Sequence, residues 1–181
     1  MPRDWDQFYR EAPEGRPPAF VVRAYGAFLP KGPVLDLAGG LGRNAFYFLQ
    51  RGHPVVLLER SREALRRLSG TPGLSLLELD LEAEGALAEL PKGPFAGVVM
   101  SYYVNRPLLL TLPPLLAPGG LLLVEGFTRL EARRRNRESP FYWEELELLR
   151  AEGWEGLSLL AFGEGWMGGA YRVWAVYRKE G

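Results

Sequence analysis

Residues 34–45 read VLDLAGGLGRNA, a short apolar run followed by three glycines among residues 39–42. The run Val34–Leu37 is typical of a buried strand, and the glycines that follow are typical of a tight turn before a helix. Glycine lets the backbone adopt positive φ and approach a ligand closely. In open α/β sheets, ligands bind where the first strand passes into its helix. We therefore expect a ligand site at this turn.

The alternation of strand and helix continues on the carboxyl side of this turn. Apolar strands are predicted at 55–58, 74–79, 95–100 and 121–124. Helices are predicted between them at 44–51, 61–68, 83–90 and 108–116. Near-continuous apolar strands separated by helices indicate a parallel sheet that is covered on both faces.

The pattern changes after residue 125. Residues 141–150 predict a helix closed by Gly153, and the segments 156–162 and 171–177 predict two strands. The connection between these strands is too short for a crossover helix, so they must pair as an antiparallel hairpin. A helix is also predicted at 19–29, ahead of the first strand.

The chain of 181 residues suits one domain with one core. We expect a doubly wound (Rossmann-like) α/β fold that spans residues 1–181. Its parts are a helical cap over 1–30, cofactor-binding βα units over 33–127, and a C-terminal helix and hairpin over 139–178.

Composition excludes several functional classes. Lys plus Arg and Asp plus Glu number 22 each, so the net charge is zero and argues against nucleic acid as a partner. Cysteine is absent, which excludes disulfides and thiolate chemistry. The polar opening is unlike a secretion signal, and no apolar run approaches a membrane span, so we expect a cytoplasmic protein without membrane contact. The scarcity of Asn, Gln and Cys is also a thermophile tendency.

Three acids follow or end successive strands, at Asp36, Glu59 and Asp80. Residues 40–45 fit the dinucleotide pattern G-x-G-x-x-A, and Glu59 could bind a ribose in either NAD or another adenosine ligand. Asp36 would repel a pyrophosphate but attract an ammonium or a sulfonium, and Asp80 can accept a hydrogen bond from an adenine amine. The acids thus favour a cationic adenosine derivative, with NAD as the alternative.

These residues resemble the motifs of class I S-adenosylmethionine-dependent methyltransferases. The similar segments are 34–45, 55–61, 79–81 and 98–101, in the order of the family's first four motifs. Segments 43–44, 51–53 and 103–108 look like the small tellurite-resistance (TehB-like) branch. The resemblance implies a seven-stranded sheet, mostly parallel, with an antiparallel C-terminal hairpin strand.

The resemblance also implies roles for residues. Glu59 would hold the ribose hydroxyls, Asp80 and the Leu81 amide would read the adenine, and Tyr9 would close over the methionine end. The full expected cofactor set is Tyr9, Asp36, Ala38, Gly40, Gly42, Asn44, Glu59, Arg60, Asp80, Leu81 and Ser101. The expected substrate pocket is Tyr102, Tyr103, Asn105 and Arg106.

Two positions depart from the family pattern. Ala38 replaces a glycine, which is tolerable if its φ is negative. Asn105 stands where the branch often has a histidine, so no catalytic base is assigned. The only histidine, His53, is expected at the far end of the sheet, and no acid or histidine cluster has metal-ligand spacing.

The resulting hypothesis is an enzyme of the methyltransferase class (EC 2.1.1) that acts by in-line transfer to a small-molecule acceptor and releases S-adenosylhomocysteine. The alternatives are an NAD-binding oxidoreductase, a non-catalytic S-adenosylmethionine-binding protein and an RNA methyltransferase. The arginine-rich segment 129–137 is interpreted either as a mobile lip of the acceptor site or as a solvated loop. The oligomeric state is left unassigned.

Overall fold

Seven strands form one sheet in the computed structural model, which describes residues 4–137, 139–150 and 154–181. They are β1 (Val34–Leu37), β2 (Val55–Glu59), β3 (Leu74–Glu78), β4 (Phe95–Ser101), β5 (Leu116–Phe127), β6 (Leu157–Met167) and β7 (Ala170–Lys179). Their order is β3-β2-β1-β4-β5-β7-β6. The first five strands are parallel, whereas β7 is antiparallel to both β5 and β6. The predicted fold class is confirmed.

The described helices are short. They are α1 (Trp5–Glu11), α2 (Phe20–Tyr25), α3 (Arg43–Leu49), α4 (Arg62–Leu68), α5 (Arg106–Leu109) and α6 (Arg129–Arg134). Asp4 caps α1 by accepting from the Gln7 amide, and Ser61 caps α4 by accepting from the Ala64 amide. Within the described residues, no helix has the length and apolarity needed to cross a bilayer.

Both faces of the sheet are buried, as the continuous apolar runs predict. Along β4, Val98 and Met100 pack into one core with Leu108 and Trp143, while Val99 points to the other face. That second core contains Val21 from α2 and Phe48 from α3, among other residues. Since side chains alternate along a strand, a strand buried on both faces is apolar at nearly every position, and the buried Asp36 in β1 departs from this pattern.

Two of the predicted helices are mostly absent. The segment predicted at 83–90 forms only a 3₁₀ turn at Ala86–Glu89, after a left-handed Gly85. The segment predicted at 108–116 contributes α5 and then a 3₁₀ turn at Pro113–Leu115. The two prolines there lack the amides that an α-helix requires. The fifth strand therefore begins at Leu116, five residues earlier than the sequence pattern predicted.

The helix predicted at 141–150 is wrong; this segment forms successive turns. The Trp143 amide donates to the Phe127 carbonyl over 2.9 Å, and the Trp143 carbonyl accepts from the Arg129 amide over 2.8 Å. This pairing holds the backbone of Trp143 extended beside the end of β5. Three residues later, Leu146 adopts a left-handed backbone conformation with a φ of +60°. Neither backbone state continues a helix. Gly153, the expected helix end, lies outside the described residues.

Trp143 generates a prediction for stability. Its side chain is 0% exposed in the larger core, whereas Trp166 is 57% exposed. Since a large cavity is left when a buried aromatic side chain is removed, Trp143→Ala should lower the free energy of unfolding by about 3–5 kcal/mol. The matched change Trp166→Ala should cost about 1 kcal/mol or less. Urea denaturation of both variants tests this, and equal losses would contradict the assignment of Trp143 to the core.

Candidate functional site

The glycine turn lies at the carboxyl end of β1, where β1 is flanked by β2 and β4. Gly40 and Gly42 have φ values of +56° and +72°, in the region that favours glycine. Ala38 has a φ of +52°, so the condition given above for tolerating alanine here, a negative φ, is not met. Strain at Ala38 is tolerated where the neighbouring structure fixes the backbone, as the bond from the Gly39 amide to the Leu58 carbonyl does here.

Asp36 lies inside the sheet, in register with Leu57 on β2 and Val99 on β4. Its side chain is 0% exposed, and neither carboxylate oxygen has a hydrogen-bond partner among the described residues. Burial raises the pKa of Asp36 to about 7, although the nearby Arg43 guanidinium, the Asn44 side chain and the Ala45 amide oppose this rise. A buried carboxylate whose neighbours compensate it this weakly is an energetic cost that a proton or a bound cation removes.

Glu59 is also buried, but both oxygens of its carboxylate accept hydrogen bonds from backbone amides. One oxygen accepts from the Gly40 amide, and the other accepts from the amides of Arg60 and Ser61, each over 2.9 Å. Burial raises the pKa of Glu59, and these three amides oppose the rise. Glu59 thus ties the turn after β1 to the turn after β2. The remaining lone pairs of its oxygens are the ones a ligand hydroxyl can use.

Asp80 lies two residues beyond β3 and pairs with Arg60, whose guanidinium is 3.3 Å away. Both side chains are partly exposed, so this ion pair can open toward a ligand at low cost. Asp80 also accepts from the Glu82 amide over 3.1 Å. The next residue, Leu81, is buried. The structure therefore brings Glu59, Arg60, Asp80 and Leu81 to one edge of the sheet.

Tyr9 covers the glycine turn from above. A Cβ atom built on Gly40 would lie 2.6 Å from the Tyr9 hydroxyl oxygen, so only glycine fits beneath this ring. Helix α1, which carries Tyr9, is fastened to α4 at both ends. The Ser61 hydroxyl donates to Asp6 over 2.6 Å, and Arg67 donates to the Tyr9 carbonyl over 2.6 Å. A ligand that enters above Gly40 must move the Tyr9 ring aside.

Asn44 and Ser101 bond to each other across the turn. The Asn44 amide donates to the Ser101 hydroxyl over 2.8 Å, and the Asn44 oxygen accepts from the Ala19 amide over 2.9 Å. Asn44 is buried, so its side chain joins α3, β4 and the start of α2. This bridging position was not foreseen, because the partners are 25 and 57 residues away in sequence.

The next residue, Tyr102, has a φ of +57° and donates its hydroxyl to Glu125 over 2.6 Å. Burial raises the pKa of Tyr102, so the phenol stays protonated. The guanidiniums of Arg43 and Arg172 lie 4.9 and 5.9 Å from the centre of its ring. Glu125 is buried and also accepts from the Val21 amide over 2.9 Å. The sequence analysis missed Glu125, although an acid directly after a run of four apolar residues is a signal.

The other expected pocket residues are engaged with neighbours. Tyr103 donates to Glu82, and the Asn105 amide donates to the Leu81 carbonyl over 3.0 Å. Arg106 forms a two-pronged ion pair with Glu147 at 2.6 and 2.7 Å. A cavity of about 420 Å³ borders Asn105 and Arg106, and its walls also include Leu81 and Phe141. Arg106 thus anchors the 141–150 turns at the edge of this cavity.

The arginine-rich segment is largely paired. Arg134 and Arg135 both bind the buried Glu131, and Arg129 and Arg133 bind Glu144 and Glu145. The Arg134 guanidinium is the main cause that lowers the pKa of Glu131 to about 2. These pairs make the segment part of the fold around α6 rather than a set of free cations.

His53 lies at the amino end of β2, where its Nδ1 atom is 2.8 Å from the Gly32 carbonyl oxygen. The expectation that it lies away from the glycine turn agrees with this position. In the described part of the chain, no group of three His, Asp or Glu side chains has the geometry of a metal site.

Asp36 generates a pH prediction. Its pKa is raised from 3.8 to about 7 on folding, so the folded state keeps this proton where the unfolded chain has lost it. Stability should therefore fall as the pH rises through this interval, by on the order of 4 kcal/mol in total. Asp36→Asn should remove most of this decline and be more stable than the wild type at pH 8. The pKa of Glu59 is also raised by burial, so Glu59 should leave a smaller decline of stability with rising pH in both proteins.

Urea denaturation of wild type and Asp36→Asn at several values between pH 4.5 and pH 8 measures the effect. Parallel stability curves for the two proteins would show that Asp36 does not titrate in this range.

No family model and no curated protein sequence matches the chain, but its structure matches solved structures. The CcbJ methyltransferase from Streptomyces caelestis superposes with a TM-score of 0.69 at 18% identity, covering 97% of this chain and 96% of that one. TehB from Haemophilus influenzae superposes with a TM-score of 0.66 at 20% identity, and the match covers 88% of this chain and 61% of that one. A third match is the 1,6-didemethyltoxoflavin-N1-methyltransferase of Burkholderia thailandensis, whose structure contains 1,6-didemethyltoxoflavin and S-adenosylhomocysteine. It superposes with a TM-score of 0.61 at 18% identity, and the match covers 90% of this chain and 79% of that one. The chain therefore has the fold of the class I S-adenosylmethionine-dependent methyltransferases.

Proposed function

We propose that this chain is an S-adenosylmethionine-dependent methyltransferase that acts on a small-molecule acceptor. The observation that carries the proposal is the carboxylate of Asp36, which is fully buried and has no hydrogen bond among the described residues. Asp36 lies two residues before the turn Ala38–Gly42, which follows β1 at the edge of the sheet. A cofactor with both an ammonium and a sulfonium group compensates this charge, whereas a neutral or anionic ligand does not.

The neighbouring residues fit the other end of the same cofactor. Glu59 offers its free lone pairs to the ribose hydroxyls, and Asp80 and the Leu81 amide offer an acceptor and a donor to adenine. Arg60 pairs with Asp80 at 3.3 Å, and this pair would open so that the Asp80 carboxylate could bind the adenine. Gly40 lets the cofactor approach the backbone closely, which any side chain at this position would block.

NAD is supported less well by the same geometry. Its pyrophosphate would lie at the glycine turn, within reach of the Asp36 charge. The neighbours with solved structures described above are methyltransferases, and none of their names indicates an oxidoreductase. A protein that binds the cofactor without catalysis would share this site, and measurable methyl transfer distinguishes the two.

When bound, S-adenosylmethionine supplies a methyl group on a positively charged sulfur, which is a good leaving group. The chain's own residues then have to align the acceptor with that carbon and exclude water. Tyr9 and α1 cover the turn and exclude solvent, and Asn44 and Ser101 fix the backbone beneath it. The phenol of Tyr102 is bound to Glu125, so it forms a wall and does not accept a proton from the acceptor.

The acceptor side is framed by aromatic rings. Tyr102 packs edge-on against Phe127 with ring centres 4.8 Å apart, and Tyr103 packs on Phe141 at 5.8 Å. Asn105, Arg106 and Phe141 border the cavity described above, which suits a small acceptor better than a nucleic acid strand. The pairing of the arginines in α6 with glutamates gives an RNA acceptor no free basic face there. A cytoplasmic site of action fits the chemistry of this cofactor.

Glu59 is the residue whose loss should affect cofactor binding most. Glu59→Ala removes the acceptor for the ribose hydroxyls and frees the Gly40 amide that shapes the turn. Since charged hydrogen bonds contribute about 1.5–3 kcal/mol each, the dissociation constant for S-adenosylmethionine should rise at least about tenfold. Isothermal titration calorimetry measures this directly.

Glu78→Ala is the matched control. Glu78 is the register partner of Glu59 on β3, but it is exposed and pairs with Arg62. It should bind S-adenosylmethionine as the wild type does. If a folded Glu59→Ala protein retains wild-type affinity, Glu59 is not the ribose ligand.

Cofactor binding should also release a proton from Asp36. Near pH 6 the raised pKa keeps this carboxyl largely protonated, and a bound cation would lower its pKa. Calorimetry at pH 6 in buffers of different ionisation enthalpy should therefore show release of up to about one proton, falling to none near pH 8.5. The Asp36→Asn variant should release none at either pH. Equal proton release by both proteins would remove Asp36 from the cofactor site.

A further inference from the structure

A second cavity, of about 700 Å³, lies on the outward side of α3. Its walls come from the loop between α1 and α2, from the exposed side of α3 and from the end of α4. The charged residues that line it are Glu14, Arg16, Arg23, Arg43, Arg51 and Arg67. Five arginines thus face one glutamate, in a chain whose net charge is zero. Such a local excess of positive charge attracts anions.

Glu14, the single glutamate among these lining residues, already forms an ion pair. Arg67 binds Glu14 at 2.6 Å and also donates to the carbonyls of Tyr9 and Ala12. Arg51 stacks on the Tyr47 ring at 3.5 Å and donates to the Tyr47 carbonyl. These two arginines are therefore held in place and form part of the wall.

Arg16 and Arg23 differ from them. Neither forms an ion pair or a side-chain hydrogen bond with any residue in the ranges that the structure describes. Both are exposed, and they approach the cavity from opposite ends of the proline-containing segment 17–22. Their guanidiniums are planar donors that match phosphate oxygens in pairs.

The cavity also has an apolar part. Phe46 is 40% exposed at its wall, and Leu41, Tyr47 and Leu68 line it further. An exposed aromatic ring beside unpaired guanidiniums suits a ligand with a planar group and a charged tail. Only Leu41 and Arg43 belong also to the glycine turn and the start of α3, so the cavity adjoins the cofactor site without containing Glu59 or Asp80.

We propose that this cavity binds a small ligand that carries a diphosphate or triphosphate, held by Arg16 and Arg23. The charge excess favours more than one anionic group, and the concave wall formed by a loop and two helices favours a small molecule over a polymer. This site is independent of the proposed methyl transfer, since none of the residues that argue for S-adenosylmethionine is needed for it.

The test is calorimetric titration of the full chain with sodium tripolyphosphate, with and without saturating S-adenosylhomocysteine. We expect one binding site, an affinity unaffected by S-adenosylhomocysteine, and a loss of at least about tenfold in the double variant Arg16→Gln/Arg23→Gln. The control Arg150→Gln/Arg178→Gln removes the same charge from exposed positions outside the cavity and should bind as the wild type does.

Three results of this titration would overturn the proposal: no binding by the wild type, equal weakening in both double variants, or competition by S-adenosylhomocysteine, which would assign the cavity to the cofactor site. Thermal unfolding of each variant verifies that it is folded. Failure of S-adenosylhomocysteine to bind at all would contradict the methyltransferase proposal and leave the tripolyphosphate result valid.

The source of the phosphate groups is resolved by a parallel titration with ATP. Tighter binding of ATP than of tripolyphosphate, lost in Phe46→Ala, would support an organic triphosphate whose base contacts Phe46. Equal affinities would support recognition of the phosphate chain alone. A single-stranded RNA that binds through Arg16 and Arg23 more tightly than either small ligand would overturn the proposal in favour of a nucleic acid surface.

Discussion

The buried carboxylate of Asp36, which accepts no hydrogen bond of ordinary geometry among the described residues, is the constraint around which this site is organised. An uncompensated charge inside a sheet costs several kcal/mol, so a chain that retains one must neutralise it with a proton or a ligand. The raised pKa of Asp36 is the sign that, in the ligand-free chain, the proton does so up to about neutral pH. Arg43, the one cation that influences it strongly, reaches over the Tyr102 ring and makes no ion pair with Asp36 in the described structure.

Glu59 shows the opposite arrangement at nearly the same depth. Its two oxygens bind three backbone amides and fix the turns that follow β1 and β2. The positive φ values at Ala38, Gly40 and Gly42 are sustained by this attachment and by the strand beneath. The Glu59 carboxylate therefore shapes the site, and the Asp36 carboxylate places a negative charge in it. A fold that provides both is suited to a cationic adenosine ligand.

The central strands were predictable because burial on both faces leaves an unbroken apolar run, as in Val55–Leu58 before Glu59. The terminal hairpin was predictable because its connection is too short for a helix. Residues 141–150 were not predictable, because Trp143 pairs with the backbone at Phe127 and this long-range contact overrides local helix propensity. The start of β5 was missed because prolines and glycines precede its apolar centre.

The identities of the site acids were available from the sequence, but their partners were not. The acids Asp36, Glu59 and Asp80 come to one sheet edge because parallel strands end at the same edge. The bonds of Asn44 to Ala19 and of Arg106 to Glu147 depend on tertiary packing, as does the positive φ of Ala38. These details decide which side chains are free to meet a ligand.

The central claim, that this sheet edge binds a cationic adenosine ligand, is tested most directly by titrating the protein with S-adenosylhomocysteine and with NAD in parallel calorimetric experiments. The account predicts saturable one-to-one binding of S-adenosylhomocysteine and no comparable heat with NAD at the same concentration. Saturable binding of NAD together with no binding of S-adenosylhomocysteine would contradict it.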